Sequence, residues 1–197
     1  MKNRWKLAFF TLLVFVLIVL IVIFSFLFKP IEDDDIVYKQ IDREKEDIPL
    51  ELTTNKENLT NLIDLYINEN HLNGPIDYSV KLTDQIELYG TMAVFTGSID
   101  LKMTFEPQVL SNGDLILKQK TISLGTINLP VPYVLKFIRD SYKLPEWVKI
   151  QPNEESIYVA LTEMKLKSGL SVHAKTFDLA TDQISFMLYV SDKTVQP

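Results

Sequence analysis

The sequence predicts an α+β fold, in which a curved antiparallel sheet of about six or seven strands packs on two amphipathic helices behind an N-terminal transmembrane helix. Three observations support this prediction. An apolar run of about 22 residues lies near the N-terminus. Beyond residue 75, apolar and polar side chains alternate in several segments, which is typical of antiparallel strands with one face in water. Only two segments after the apolar run show clear helical spacing.

The apolar run extends from Leu7 to Phe28 and is interrupted only by Thr11 and Ser25. With a rise of about 1.5 Å per residue, a helix of this length crosses a hydrocarbon core about 30 Å thick. A cleaved signal peptide has a shorter apolar region and a small-x-small exit, whereas residues 24–30 are FSFLFKP. We therefore expect an uncleaved membrane anchor.

The charges on the two sides of this run predict its orientation. Three basic residues, Lys2, Arg4 and Lys6, precede the run, and four acidic residues follow it at positions 32–35. The positive-inside rule then places the N-terminus in the cytoplasm and the rest of the chain outside a cell membrane that it crosses once. The predicted organisation is a cytoplasmic tip (1–6), an anchor (7–28), a charged linker (29–52) and an extracytoplasmic α+β domain (53–197).

Composition restricts the function of the outer domain. The chain has no cysteine, which excludes disulfides, thiolate nucleophiles and thiolate metal sites. Removing the three positive charges of the cytoplasmic tip from the net charge of −6 leaves −9 for the remainder. So acidic a domain disfavours nucleic acid as a partner, and it disfavours electrostatic docking on anionic lipid.

The first helix of the folded part is predicted to begin at the capping-box sequence Thr54-Asn-Lys-Glu57. Its apolar face comprises Leu59, Leu62, Ile63, Tyr66 and Ile67. Asn73-Gly74-Pro75 ends the helix, and His71 near its C-terminal end is interpreted as a partner of the helix dipole.

Four strands are predicted next, at residues 76–82, 86–94, 99–105 and 114–124. Turn signals at Gly97-Ser98 and Asn112-Gly113 join consecutive strands into a meander. The apolar positions of the fourth strand change parity after Leu117, which predicts a bulge or bend near Gln119.

Pro130 and Pro132 then begin the second helix, because proline is tolerated in the first turn. Tyr133, Val134, Phe137 and Ile138 form its apolar stripe.

The C-terminal part is predicted to contain two further strands, at residues 164–172 and 184–190, with a turn at Asp182. The short apolar run at 157–161 fits either a strand or a helical turn. His173 is interpreted as an exposed strand histidine on the polar face. A hypothetical basic strip for a partner comprises Lys118, Lys120, Lys165, Lys167 and Lys175.

No motif with a known mechanism is present. The two histidines are about 100 residues apart, and the sequence contains no HExxH, GxSxG, GxGxxG or P-loop pattern. We therefore predict no catalytic residues, no metal site and no cofactor, and we expect a non-catalytic domain. A hydrolase of unrecognised type remains an alternative.

Several segments together resemble a known family. They are the anchor, the segment LYGTMAVFTGSIDLKMTFEPQVLSNGDLILKQKTISLGTINLPVPYVLKFI and the later LPEWVKIQP. They are similar to the YpmS-like family of membrane-anchored proteins of Gram-positive bacteria. The most specific part is the NGD hairpin followed by the Gly125–Pro132 turn from strand to helix. The resemblance implies an envelope protein whose domain lies outside the membrane, and it implies no catalytic residues.

The two helices either cover the apolar face of the sheet fully, which gives an ordinary closed core, or leave an apolar groove beside it. The strand-to-proline-to-helix pattern is loosely similar to that of tubular lipid-binding domains, which hold acyl chains between a curled sheet and a helix. The lining of the candidate groove comprises Met92, Val94, Leu101, Met103, Phe105, Tyr133 and Phe137. The resulting hypotheses are binding of a lipid or lipid-linked envelope component and, alternatively, a protein-interaction or scaffold role in envelope assembly.

Overall fold

The computed structural model describes residues 2–27, 48–70, 77–94, 97–124, 130–142, 144–164, 166 and 169–190. The chain divides into two compact units, Met1–Glu32 and Asp33–Pro197. The linker up to residue 47, His71, Lys165 and Lys167 lie outside the described residues, so the predictions made for them stay predictions.

The described residues of the first unit form one helix, α1, at Lys2–Leu27. Within it, the 19 residues Arg4–Val22 are long and apolar enough to cross a membrane, by a criterion of length and composition that signal sequences also meet. The N-terminal helix predicted from the apolar run is therefore present.

The described residues of the second unit form two helices, nine strands and a short 3-10 helix. In chain order these are β1 Ile48–Thr54, α2 Lys56–Glu69, β2 Asp77–Leu82, β3 Ile86–Val94, β4 Gly97–Val109, β5 Leu115–Leu124, α3 Val131–Ser141, β6 Val148–Gln151, β7 Ser156–Val159, the 3-10 helix Leu161–Glu163, β8 Leu170–Asp178 and β9 Gln183–Val190.

Six strands form one antiparallel sheet in the order β2-β3-β4-β5-β7-β6. The first four follow one another as the predicted meander, with the β4–β5 turn at Asn112-Gly113. The register shifts where Thr104 faces Thr121 but Phe105 faces Gln119, so Lys120 is an extra residue in β5. The bulge predicted near Gln119 is confirmed, and it explains why the apolar positions change parity.

The two predicted amphipathic helices are α2, of 14 residues, and α3, of 11 residues. The N-cap of α2 is Asn55, one residue after the predicted cap, and its side chain accepts a hydrogen bond from the backbone N–H of Asn58 at 2.8 Å. Leu59 and Ile67 of α2 are buried, whereas Leu62 is 58% exposed, so the buried stripe is narrower than predicted.

A second, three-stranded antiparallel sheet has the order β1-β9-β8. Its residues Val172, Ile184 and Phe186 belong to the same core cluster as Met103 and Phe105 of β4. The two sheets and both helices therefore share one core. The predicted fold class, α+β with an antiparallel sheet packed on two amphipathic helices, is confirmed.

Several boundaries differ from those predicted, and two of the differences have a clear cause. The folded part opens with β1, which begins at Ile48 inside the segment assigned to the linker, because this strand pairs with β9, which is distant in sequence. The strand predicted at 164–172 begins only at Leu170, since the chain turns at Gly169, whose φ is +72° and whose N–H donates to the carbonyl of Leu166.

The core assignment predicts a large difference between two phenylalanines. Phe105 is 1% exposed and Phe137 is 48% exposed. Phe105→Ala should lower the free energy of unfolding by about 3–5 kcal/mol, because it removes a fully buried ring. Phe137→Ala, the matched control, should cost less than about 1 kcal/mol. Urea unfolding of the full chain in micelles, followed by Trp147 fluorescence with Trp5 replaced by Phe, measures both. Equal losses would contradict this assignment.

Candidate functional site

The apolar face of the six-stranded sheet is organised in layers across neighbouring strands. Paired residues of an antiparallel sheet share a face, so the pairing gives each layer directly. The first layer is Leu82, Ile86 and Phe105; the second is Val80, Leu88, Met103 and Ile122; the third is Tyr78, Gly90, Leu101 and Leu124; and the fourth contains Met92 and Ile99.

Burial is most complete in the first layer and less complete in the next two. All three side chains of the first layer are less than 9% exposed. In the second layer Met103 is fully buried, but Val80, Leu88 and Ile122 are only half-buried. In the third layer the side chains of Tyr78 and Leu101 are both half-buried. The interior is thus filled at the first layer and less well covered towards the β3–β4 turn.

The two helices connect the opposite edges of this sheet. Helix α2 packs on the edge strand β2, while its Tyr66 ring meets the ring of Trp147, just before β6, at 5.8 Å between centroids. Helix α3 packs on the other edge strand, β6, while Tyr142 at its C-terminal end meets Tyr78 of β2 at 5.9 Å. Since each helix contacts both edges, the sheet must curl around the helices.

The Tyr78–Tyr142 pair lies beside the third layer and is partly withdrawn from water. Burial raises the pKa of Tyr78, and burial together with the neighbouring Tyr78 raises the pKa of Tyr142. Both rings therefore stay neutral at physiological pH and present aromatic edges at the less covered end of the interior.

The structure separates the seven predicted groove residues. Met103 and Phe105 are core residues, Leu101 is half-buried against the core, and Tyr133 is half-buried on α3. Phe137 is exposed. Met92 and Val94 lie in β3 next to the β3–β4 turn, and their side chains are outside the described part of the structure.

The opposite face of the same sheet is polar, as the alternation predicts. Glu87 accepts a hydrogen bond from the hydroxyl of Tyr89 and lies 3.1 Å from the ammonium of Lys102. The hydrogen bond from Tyr89, followed by Lys102, lowers the pKa of Glu87. These groups satisfy one another on the wet face of the sheet.

A buried polar cluster at the β4–β5 turn was not predicted from the sequence. Asp114 is 1% exposed, and its carboxylate accepts hydrogen bonds from the Tyr158 hydroxyl, the Asn112 side chain at 2.6 Å and the backbone N–H of Thr162 at 3.0 Å. Burial, followed by the bond to Asp114, raises the pKa of Tyr158. The cluster joins the turn to β7 and to the 3-10 helix. The polar triplet Asn112-Gly113-Asp114 was the available signal, but it also fits a solvated turn.

The prediction that His173 is exposed is wrong, because this residue is 4% exposed under the same turn. Its Nδ1 lies 3.1 Å from the carbonyl of Asn112 and therefore donates, since a carbonyl only accepts. Its Nε2 lies 3.4 Å from the Ser171 hydroxyl, longer than the roughly 2.6–3.2 Å of a nucleophile and its general base. The histidine satisfies the polar groups of the turn, and its ring packs on Tyr189.

Gly113 is required where the turn meets β8. Its φ is +90°, its carbonyl accepts a hydrogen bond from the N–H of Ala174 at 2.7 Å, and a Cβ here would lie 2.7 Å from that of His173.

Two lysines of the predicted basic strip form salt bridges with acidic side chains: Lys120 pairs with Glu106, and Lys175 pairs with Glu51. Among the described residues, no group of three histidine, aspartate or glutamate side chains could hold a metal ion.

The turn can be tested with Gly113→Ala. This change should cost about 2–4 kcal/mol of unfolding free energy, because it adds a left-handed backbone penalty and an overpacked contact with His173. Gly169→Ala is the control, since Gly169 has a φ of +72° but is exposed, and it should cost about 1 kcal/mol. Urea unfolding of both variants measures the difference, and a Gly113→Ala loss no larger than the control would contradict the close packing.

The buried hydroxyl of Tyr158 predicts a pH dependence. In the unfolded chain this phenol ionises near pH 10, whereas in the folded chain its raised pKa keeps it neutral, so stability should fall as the pH rises above about 10. Tyr158→Phe should cost about 1–3 kcal/mol at pH 7, because a buried carboxylate loses a donor, and should make the alkaline decline shallower. Tyr66→Phe, which keeps the ring contact with Trp147, is the control. An unchanged alkaline slope in Tyr158→Phe would contradict the assignment.

Comparison with known proteins identifies the relatives of this chain. Residues 3–190 match a family described as "Uncharacterized protein conserved in bacteria (DUF2140)". The "Uncharacterized protein YpmS" of Bacillus subtilis (strain 168) is 33% identical over 187 residues, which cover 95% of this chain and 97% of that protein. No solved structure matches the chain. The resemblance to YpmS-like proteins is thereby confirmed, and the chain belongs to the DUF2140 family of bacterial proteins.

Proposed function

We propose that this protein is a membrane-anchored, extracytoplasmic, non-catalytic domain that binds the acyl chain of a lipid or lipid-linked envelope component. The acyl chain would enter the interior of the curled sheet from the end near the β3–β4 turn. The observation that carries the proposal is the decrease in burial from the first to the third layer of one continuous apolar face.

The anchoring part of the proposal rests on α1. This helix has the length and composition of a membrane span. Basic residues precede its apolar part and a run of acidic residues follows it, which favours a cytoplasmic N-terminus and an outer domain. A lipid-binding domain held at such an anchor would stay within reach of the outer leaflet of the membrane.

The ligand-binding part rests on dimensions and on side-chain type. Successive layers on one face of a strand are about 6.8 Å apart, so the two layers beyond Met103 extend about 14 Å. Apart from Gly90, their residues are aliphatic, aromatic or methionine, which suits an adaptable apolar site. Ten methylene groups buried there would contribute about 8 kcal/mol before ordering costs, which corresponds to a gross affinity in the micromolar range.

The Tyr78–Tyr142 pair supports an entrance at this end. Tyr78 belongs to the third layer, and Tyr142 directly follows α3. Aromatic rings at the mouth of an apolar site can shield the first part of an acyl chain from water. The half-buried Leu101 marks the level at which the filled core ends and the bound acyl chain would begin.

A scaffold role in envelope assembly is the second candidate. The observation that favours it is that β1 is an outer strand of the three-stranded sheet, so that its outer edge, which no described strand pairs with, offers backbone groups for strand addition by a protein partner. The lipid proposal ranks first because it also accounts for the layered burial.

Native mass spectrometry of residues 33–197, expressed in bacteria, tests lipid binding. We expect an acyl-chain species at near one per protein. Leu101→Trp should lower this occupancy about tenfold, because filling the third layer costs a bound chain about 1–3 kcal/mol. Ser98→Trp, an exposed position of the same strand on its other face, is the matched control and should keep the lipid. A stable wild-type domain that carries no lipid and takes none from added vesicles would refute the proposal.

A further inference from the structure

Strand β1 carries a row of large aliphatic side chains that are half in water. Ile48, Leu50 and Leu52 occupy alternate positions, so they share one face of the strand, and they are 58%, 50% and 47% exposed. These three residues are called the β1 stripe. An exposed aliphatic residue is common in isolation, but three in a row on an edge strand form a contiguous apolar surface.

The burial of the neighbouring strands shows how far the hydrophobic core extends across this face of the three-stranded sheet. Phe186 of β9 pairs with Leu52, and it is only 8% exposed. Further across the same face, Val172 and Ala174 of β8 are 7% and 6% exposed. The shared core therefore covers the β8 and β9 side of this face and stops before β1.

The position of β1 in the chain indicates what covers the stripe. Residues 28–47 join the end of α1 to Ile48, and a chain of this length spans at most about 65 Å. If α1 crosses a membrane, the bilayer surface is thus held at high effective concentration beside β1. Within the described residues, the stripe is the first apolar surface after α1.

The charges near the stripe favour an apolar contact over an electrostatic one. The only charged side chain of β1 is Glu51, which points to the other face and pairs with Lys175 at 2.8 Å. The domain as a whole is acidic, so it has no general attraction to anionic lipid. A contact through the stripe should therefore depend on burial of aliphatic area and hardly on salt.

We propose that the β1 stripe docks on the outer surface of the bilayer that holds α1, with Ile48, Leu50 and Leu52 inserted shallowly at the boundary between headgroups and acyl chains. This inference rests on the anchoring part of the proposed function and is independent of a ligand inside the curled sheet. It gives the outer domain a defined contact with the membrane, in addition to its tether.

The absence of cysteine allows a direct test in the full chain. Leu50→Cys and Thr53→Cys place one thiol each on the two faces of β1, and each is labelled with an environment-sensitive nitrobenzoxadiazole dye. The labelled chains are reconstituted one copy per phosphatidylcholine nanodisc, with and without spin-labelled lipid. The label at position 50 should be quenched about twofold or more by the spin-labelled lipid, and the label at position 53 should not be.

Raising the salt concentration should leave the quenching at position 50 unchanged, because the contact is apolar. Equal quenching at positions 50 and 53 would overturn the proposal. An absence of quenching at position 50 in single-copy discs would also overturn it. If that label became buried only when several copies share a vesicle, the stripe would bind a second copy of this chain instead of the membrane.

A second substitution, Leu50→Asp in chains labelled at Ile48→Cys, should abolish the quenching while lipid carried by residues 33–197 stays at the wild-type level. Loss of the carried lipid in Leu101→Trp should leave the quenching intact, so the two proposals fail separately.

Discussion

One constraint dominates the outer domain: the apolar face of a six-stranded sheet must be buried by two helices of only 14 and 11 residues. A flat sheet of this width would leave much of that face in water. The sheet instead curls until each helix contacts both edge strands, through the Tyr66–Trp147 and Tyr78–Tyr142 ring pairs. The helices then fill the interior at Phe105 and Met103 and cover it less completely at Leu101.

The second sheet completes the core from the side that the helices do not reach. The turn at Asn112-Gly113-Asp114 fixes it in place, since one end of the turn bonds to β8 and the other to β7 and the 3-10 helix. The buried Asp114 carboxylate has three hydrogen-bond donors, which compensate much of its lost hydration. This cluster therefore determines how the two sheets meet, and it needs no catalytic role to account for its burial.

Local patterns in the sequence predicted the features that depend on neighbours in the chain. The period-2 alternation, the Asn112-Gly113 hairpin, the bulge near Gln119 and the proline-led helix α3 all arise within a few residues. Features that depend on distant partners were missed. Most of the segment IPLELTT was assigned to the charged linker that precedes it, whereas in the structure the segment pairs with the distant strand β9. His173 lies on a face that the sequence predicts to be polar and exposed, but the β4–β5 turn covers it. Burial of Asp114 likewise requires Tyr158 and Thr162, which come from elsewhere in the chain. The candidate groove was predicted as one surface, yet its residues range from full burial at Met103 of β4 to exposure at Phe137 of α3.

The central claim is that the curled sheet accepts an acyl chain at the third layer and beyond it, next to the half-buried Leu88 and Ile122, while the first layer stays closed. Nuclear Overhauser effects between the methylene protons of an added fatty acid and the methyl groups of the 33–197 unit test this most directly. We expect contacts with the methyl groups of Leu88, Leu101 and Ile122, and none with Leu82 or Ile86 of the first layer. Contacts confined to the outer surface, or no contacts with any of these methyl groups, would show that the interior is a closed core.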